Sequence, residues 1–310
     1  MAVFFDINQL PKFNNAVITI GTFDGVHMGH RVILNEVVKH AKEVGGESVL
    51  ITFEPHPRKL LFPGQSLKLL TPLHQKLELI QAAGIEHIIV APFTKDFSDL
   101  SAQEYIENFL VAYCHPDSII IGYDHHFGQE RKGSIHLLKE YASKHNFKVV
   151  EIPAQLIDEA AVSSTKIRHA LEQGHVQDAA HMLGRNYTVT GTVVKGTQLG
   201  RTIGYPTANI QPSDNDQLIP ARGIYAVRAI HAGHLYNGMM SIGYNPTITD
   251  EKTIKIEVNL FEFDKDIYGD EIEIEFVAWL RSEEKFDSID ALKEQLNLDK
   301  INTLKQLNSN

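Results

Sequence analysis

Gly21-Thr22-Phe23-Asp24-Gly25-Val26-His27-Met28-Gly29-His30 joins an apolar run, Ala16-Val17-Ile18-Thr19-Ile20, to a stretch of helical periodicity from Arg31 to Val44. Consecutive apolar residues ahead of a glycine turn read as a buried strand, and apolar positions spaced by three and four read as a helix. The turn therefore delivers two histidines to a helix N-terminus. Unpaired backbone N–H groups and the positive end of the helix dipole attract anions there, and His27 and His30, three residues apart, can reach one phosphate. Gly21 and Gly29 belong to the same expected phosphate site. Ordinary surface histidines would explain the pair alone, but not strand, turn, His-x-Gly-His and helix in succession.

The whole chain narrows what that phosphate belongs to. Its 310 residues suffice for about two domains, and 43% hydrophobic with 22% charged residues is the composition of a folded globular protein. A formal net charge of -10 argues against general attraction to nucleic acid, so the expected nucleotide is a small molecule. The single cysteine, Cys114, excludes an internal disulfide and a cysteine-based zinc cluster, which fits a reducing compartment. No basic leader precedes an apolar segment, and no run of about eighteen apolar residues occurs, so the expectation is a cytoplasmic protein that binds no membrane.

Two rhythms follow along the sequence. Up to about Gly184, the apolar runs 16–20, 48–53, 87–91, 118–122 and 148–152 alternate with helix signals: Thr71-Pro72 as cap and first position, Gly84 as stop, and Ser101-x-x-Glu104 as a capping box. Strands separated by helices imply a doubly wound parallel sheet, Rossmann-like, with ligands beyond the C-terminal strand ends. From about Tyr187 the pattern changes to alternating strands over 187–195, 224–230, 240–244, 253–261 and 271–280, broken by Gly, Pro and Asn. That reads as an antiparallel β-barrel, with a helix over 288–297 packed outside it. The expected domains are 1–184 and 185–310.

Three further stretches of the first domain should converge on the nucleotide. Phe53-Glu54-Pro55-His56-Pro57 follows the second strand, and its prolines hold His56 at the sheet's mouth. Gly122-Tyr123-Asp124-His125-His126-Phe127-Gly128 follows the fourth. Val162-Ser163-Ser164-Thr165-Lys166-Ile167-Arg168 begins a helix whose hydroxyls and amides can cap an anion, with Arg168 one turn on. Each has a plain alternative as a rigid turn, a solvated pair or a helix cap. In order and position, however, they and the Gly21–His30 string resemble the bacterial FAD synthetases of the nucleotidyltransferase superfamily. The resemblance implies transfer of AMP from ATP to the phosphate of FMN, with His27, His30 and His56 on the ATP phosphates, and Ser163, Ser164, Thr165 and Arg168 on the pyrophosphate side. Magnesium would bridge phosphate oxygens, and Asp24 and Asp124 are candidates for nucleotide or flavin contact. His125 stands where the family usually has an aromatic residue, which bears on flavin orientation.

In the second domain, Gly200-Arg201-Thr202-Ile203-Gly204-Tyr205-Pro206-Thr207-Ala208-Asn209 pairs a glycine loop, Gly200 and Gly204, with hard oxygen side chains. Thr207 and Asn209 alternate on an extended chain and can meet one magnesium ion or phosphate. The string resembles the riboflavin kinase signature. Pro220-Ala221-Arg222-Gly223-Ile224-Tyr225 resembles that family's turn, which places Arg222 and Tyr225 at the flavin, and 256–261 resembles the strand with its catalytic acid, Glu257. The resemblance implies that Glu257 accepts the ribityl hydroxyl proton as it attacks the terminal phosphate of ATP. An outward-facing strand carboxylate is the plain alternative, and Asn259 stands where many relatives have His.

Together these readings describe a bifunctional transferase of the riboflavin kinase/FMN adenylyltransferase family, using riboflavin, FMN and ATP and making FAD. Two others compete with it. One keeps only the adenylyltransferase, with a weak or reduced-flavin-selective kinase domain; the other is a non-catalytic flavin or nucleotide sensor.

Overall fold

Strand β2, Val17–Ile20, is buried throughout and β3, Ser48–Glu54, almost throughout, as strands covered on both faces must be. The computed structural model describes residues 2–64, 66–123, 125–154, 162–196, 199–244 and 254–308. Parallel pairing of β2 and β3 with β1 (Ala2–Phe4), β4 (His87–Pro92), β5 (Ser118–Gly122) and β6 (Lys148–Ile152) gives a six-stranded sheet of order β1-β4-β3-β2-β5-β6. Side chains alternate across it. Ile18, Ile20, Val49 and Ile51 join Phe109 and Tyr105 in one core, whereas Val17, Leu50 and Ile88 join Leu34, Val37 and Ile80 in the other. The strand order reverses between β2 and β5, so the loops after these two strands flank the crevice where such sheets take ligands.

Local details differ from the sequence reading in instructive ways. The first helix begins at Met28 rather than Arg31, because His27 itself is the N-cap. Thr71 does not cap helix Leu73–Ala82, whose N-cap is Pro72 without a side-chain bond; its hydroxyl instead accepts from Gly25 N at 3.0 Å. The Ser101–Glu104 capping box is present with both reciprocal bonds. Edge strand β1, three residues long, was not anticipated.

The second unit is a closed barrel in the order β10-β11-β8-β7-β12-β9, from β7 (Tyr187–Val194), β8 (Ala208–Pro212), β9 (Gly223–His231), β10 (His234–Tyr244), β11 (Ile254–Leu260) and β12 (Glu271–Arg281). Burial alternates strictly along β7, the pattern of a wall with one wet face. The final helix, Ile289–Asn308, runs well past the expected 297 and docks through a buried ion pair. Arg281 donates to both carboxylate oxygens of Asp299, at 2.9 and 2.7 Å, and Asp299 is 1% exposed.

The chain divides into compact units Met1–Ser164 and Thr165–Asn310. Helix Ser164–Glu172 therefore begins at the division, and Val176–Leu183 follows it with Val176, Ala179 and Leu183 buried. Leu171 accepts from Ala221 N at 2.9 Å, which ties these helices to the barrel unit by packing.

Candidate nucleotide sites

The Gly21–His30 turn is held in an unusual backbone path by a buried carboxylate. Phe23, Gly25 and Val26 all have positive φ, and glycine at 25 carries the largest, 87°. Asp24, 3% exposed, accepts from Leu70 N at 3.0 Å and Thr71 N at 3.1 Å, clamping the turn to the segment ahead of helix Leu73–Ala82. The Asp24 carboxylate thus accepts from two backbone donors, and Thr71 Oγ1 also donates to it, at 3.4 Å. Asp124 lies outside the described residues.

The two histidines are positioned differently from a simple helix face. His27 Nδ1 accepts from His30 N at 3.3 Å, so in the neutral ring the proton sits on Nε2. The imidazoles stack, with centroids 3.6 Å apart and planes at 16°, and Phe23 meets His30 edge-on at 5.0 Å. His30 is half-buried, and its Nδ1 is sealed from water with no partner among the described residues. Burial pushes the His30 imidazole well below its usual range, and the neighbouring His27 and Lys76 charges push the same way. A neutral His30 can donate a hydrogen bond to a phosphate but brings no charge to it.

Ser164 links the second motif to this turn. Its hydroxyl donates to Asp24 O at 2.9 Å across 140 positions of sequence. Ser163 precedes it, and Thr165 and Arg168 follow on helix Ser164–Glu172, Thr165 exposed and Arg168 half-buried. Gly21 N extends the sheet by donating to Ile51 O at 3.0 Å, and Gly29 is buried in the first helix turn. His56, 7% exposed, caps helix Pro57–Leu61 by accepting from Arg58 N at 3.2 Å, so it sits at the end of β3 with Nδ1 occupied. His125 packs its ring near Phe127, centroids 5.9 Å apart.

Lys76 escaped the sequence reading. It is 5% exposed on helix Leu73–Ala82, and its ammonium donates to Thr52 Oγ1 at 3.1 Å and Thr22 O at 3.3 Å. Thr52 in turn donates to Thr22 O at 3.2 Å, closing a triangle under the turn. Its spacing with Leu73, Leu77 and Ile80 puts a lysine on an apolar helix stripe, a visible signal of a buried charge.

In the barrel unit, Thr207 Oγ1 donates to Glu257 Oε1 at 3.4 Å, and Asn209 stands opposite Glu257 in the β8–β11 register. Lys255 holds the other oxygen, Oε2, at 2.9 Å. The Asn209 amide lies so close to Gly196 that any Cβ there would collide with it. Gly200 O accepts from Tyr205 N at 2.8 Å, turning the glycine loop back on itself, and Gly204 completes the turn with φ 88°. Asn259, 6% exposed, donates to Pro206 O at 2.7 Å and so braces the Pro206–Asn209 segment. A cavity of about 330 Å³ opens beside Thr207, lined also by Arg201, Phe263 and Asp264. Arg222 is exposed, but Tyr225 is fully buried against Phe276, with its hydroxyl donating to Ala221 O. Tyr225 thus contributes its ring to the barrel interior and its hydroxyl to the Ala221 turn.

Thr207, Asn209 and Glu257 are hard oxygen donors, the set a magnesium ion prefers. No cluster of three or more His, Cys, Asp or Glu suited to a metal occurs among the described residues. No described helix is long and apolar enough to cross a membrane.

Comparison with known proteins adds the family context. A family model described as FAD synthetase matches residues 10–166, and one described as riboflavin kinase matches 183–307. The bifunctional riboflavin kinase/FMN adenylyltransferase of Listeria monocytogenes is 39% identical over 290 residues, covering 93% of this chain and 91% of its own. That of Haemophilus influenzae is 36% identical over 293 residues, 94% of each chain. A crystal structure described as a macrolide-efflux protein from Streptococcus pneumoniae superposes with a TM-score of 0.89 at 31% identity, covering 97% of this chain and 98% of that one.

Proposed function

This chain belongs to the family of bifunctional riboflavin kinases/FMN adenylyltransferases, and from that premise we propose how its residues divide the two reactions. It phosphorylates riboflavin with ATP to give FMN, and it transfers AMP from ATP to FMN to give FAD and pyrophosphate. Both are transfers between anionic groups, so catalysis rests on positioning and charge compensation more than on covalent chemistry.

In adenylyl transfer, an FMN phosphate oxygen bonds to the α-phosphorus of ATP as the bond to pyrophosphate breaks. His27 and His30 donate hydrogen bonds to the phosphates from the turn after β2, and Gly21 and Gly29 keep its backbone open to them. His56 stands at the neighbouring strand end. Ser163, Ser164, Thr165 and Arg168 serve the departing pyrophosphate. The observation that carries this assignment is the bond from Ser164 to the Asp24 carbonyl, which unites two motifs far apart in sequence. The functional boundary is placed at 184/185, so that Arg168 serves the first reaction; residues 167–182 fall between the two family matches.

In the kinase reaction, Glu257 takes the proton from the ribityl hydroxyl while that oxygen attacks the γ-phosphorus of ATP. Thr207 and Lys255 fix one carboxylate oxygen each. Thr207 and Asn209 would hold magnesium, which would supply charge neutralisation at the phosphates. Gly200 and Gly204 shape the phosphate loop, and Arg222 and Asp124 are assigned to the flavins. Asn259 braces Pro206 through its amide, and both family models match the chain, so the full bifunctional reading is preferred to an adenylyltransferase with a failing kinase. The protein works in the cytoplasm on small molecules.

Chromatographic product analysis with riboflavin or FMN in turn, with Mg-ATP present or withheld, tests the scheme. His30→Ala should abolish FAD formation and spare FMN formation, and Glu257→Ala should do the reverse. Loss of both activities from either change defeats the two-site assignment.

A further inference from the structure

Burying an ammonium costs several kcal/mol unless something compensates it. Lys76 is buried with only two neutral oxygens, Thr22 O and Thr52 Oγ1, in contact, and no carboxylate reaches ion-pair distance among the described residues. A staple between β3 and the turn after β2 would need two hydrogen bonds but no charge. Two hydrogen bonds alone do not call for the charge, which Glu54 and Asp24 compensate only through space.

We propose that Lys76 is the fixed cation of the adenylyl-transfer site, a positioning residue whose ammonium, held beneath the Gly21–His30 turn by Thr22 and Thr52, offsets the negative charge of the ATP polyphosphate. His27 and His30 then act as neutral hydrogen-bond donors above it. The inference rests on the adenylyl-transfer reading and deepens it, for it moves the positive charge from the imidazoles to a lysine of another helix. Three features agree. His30, within electrostatic reach of Lys76, has a sealed Nδ1 with no partner among the described residues. The Lys76 charge acts on the His30 ring, together with the stacked His27, against its protonation. Burial lowers the lysine's own proton affinity, while Glu54 of β3 and Asp24 of the turn act in the opposite direction and favour its charge.

The decisive variants, made in the full-length protein, are Lys76→Gln, Lys76→Met and Thr52→Val. Glutamine keeps hydrogen-bonding capacity and loses the charge; valine at 52 loses a hydrogen bond and keeps the charge. FAD formation from FMN is followed against ATP concentration between pH 5.5 and 8.5, with far-UV circular dichroism as the control for folding of the first unit and FMN formation from riboflavin in the same preparation as the control for enzyme concentration. Lys76→Gln and Lys76→Met should each lower kcat/KM for ATP by about 10²-fold, the scale of losing one group that stabilises developing charge. Thr52→Val should cost no more than about tenfold. Removing the lysine charge also removes a repulsion from His30, so the acid limb of the pH profile should move to higher pH in both Lys76 variants and stay in place in Thr52→Val. If Lys76→Met fails to fold, Lys76→Gln decides. A Lys76→Gln enzyme with wild-type kcat/KM and an unmoved acid limb overturns the proposal, as does a Thr52→Val enzyme equally impaired. Wild-type protein that makes no FAD from FMN would instead overturn the adenylyl-transfer reading.

Discussion

Replacing Asp24 by alanine should detach the phosphate turn and weaken the first unit selectively. The carboxylate accepts from Leu70 N and Thr71 N, at 3.0 and 3.1 Å, in a site that is 3% exposed. Hydrogen bonds to a charged acceptor contribute about 1.5–3 kcal/mol each, and a buried N–H left without a partner costs about 1–3 kcal/mol. Alanine orphans both donors, so the expected loss is about 3–5 kcal/mol; asparagine, which keeps one oxygen, should lose about 1–2 kcal/mol. Against a domain stability of about 5–15 kcal/mol, the alanine variant approaches the margin. The only tryptophan, Trp279, lies on β12 of the second unit, so its fluorescence follows the barrel while far-UV circular dichroism follows both. In urea, the dichroism transition of the first unit should move down by about 1–2 M, taking a slope of about 3 kcal/mol per M, with the Trp279 transition unmoved. FAD formation should fall and FMN formation persist. An Asp24→Ala protein whose transitions and FAD formation both match wild type would refute the clamp.

Two other outcomes follow from buried charge. Because the folded pKa of His30 is depressed, its contribution to stability is full above the unfolded value near 6.5 and is lost progressively as pH falls, when the unfolded chain binds a proton the native ring resists. Acid titration of urea stability should show this loss in the wild type below about pH 6.5, and His30→Gln should shrink it; equal slopes in the two proteins would remove His30 as the cause. Asp299→Ala leaves the partly exposed Arg281 guanidinium without its carboxylate, so the barrel unit should lose about 1.5–3 kcal/mol, read as an earlier Trp279 transition, and an unchanged midpoint would show that the last helix docks by its apolar face alone.

The sheet and the barrel were legible because their signals are local. Unbroken apolar runs such as Ser118–Gly122 and strict alternation along Tyr187–Val194 report burial on two faces or one without reference to distant residues. The motif loops were legible for the same reason. What stayed hidden depends on partners far away: the Asp24 carboxylate accepts from Leu70 and Thr71, 46 and 47 positions on. The burial of Tyr225 against Phe276 likewise depends on closure of the barrel. The strand at Ala208–Pro212 carries too few apolar residues for the alternation test to find, and β1 is too short for any periodicity. Lys76 was visible in principle, since a lysine at a core-facing helix position contradicts its stripe, and such contradictions mark function.

The contrast between a closed barrel and an open sheet governs how copies of this chain can stick together. A cylinder of strands offers no exposed ladder for another molecule to extend, whereas the sheet ends in two, at β1 and β6. One of these terminates after three residues, and the other is guarded by Lys148 and by Glu151, which Lys139 engages at 3.0 Å. Protection against templated self-assembly is therefore geometric in one half of the molecule and electrostatic in the other, so acid or high salt erodes it in the amino-terminal half first.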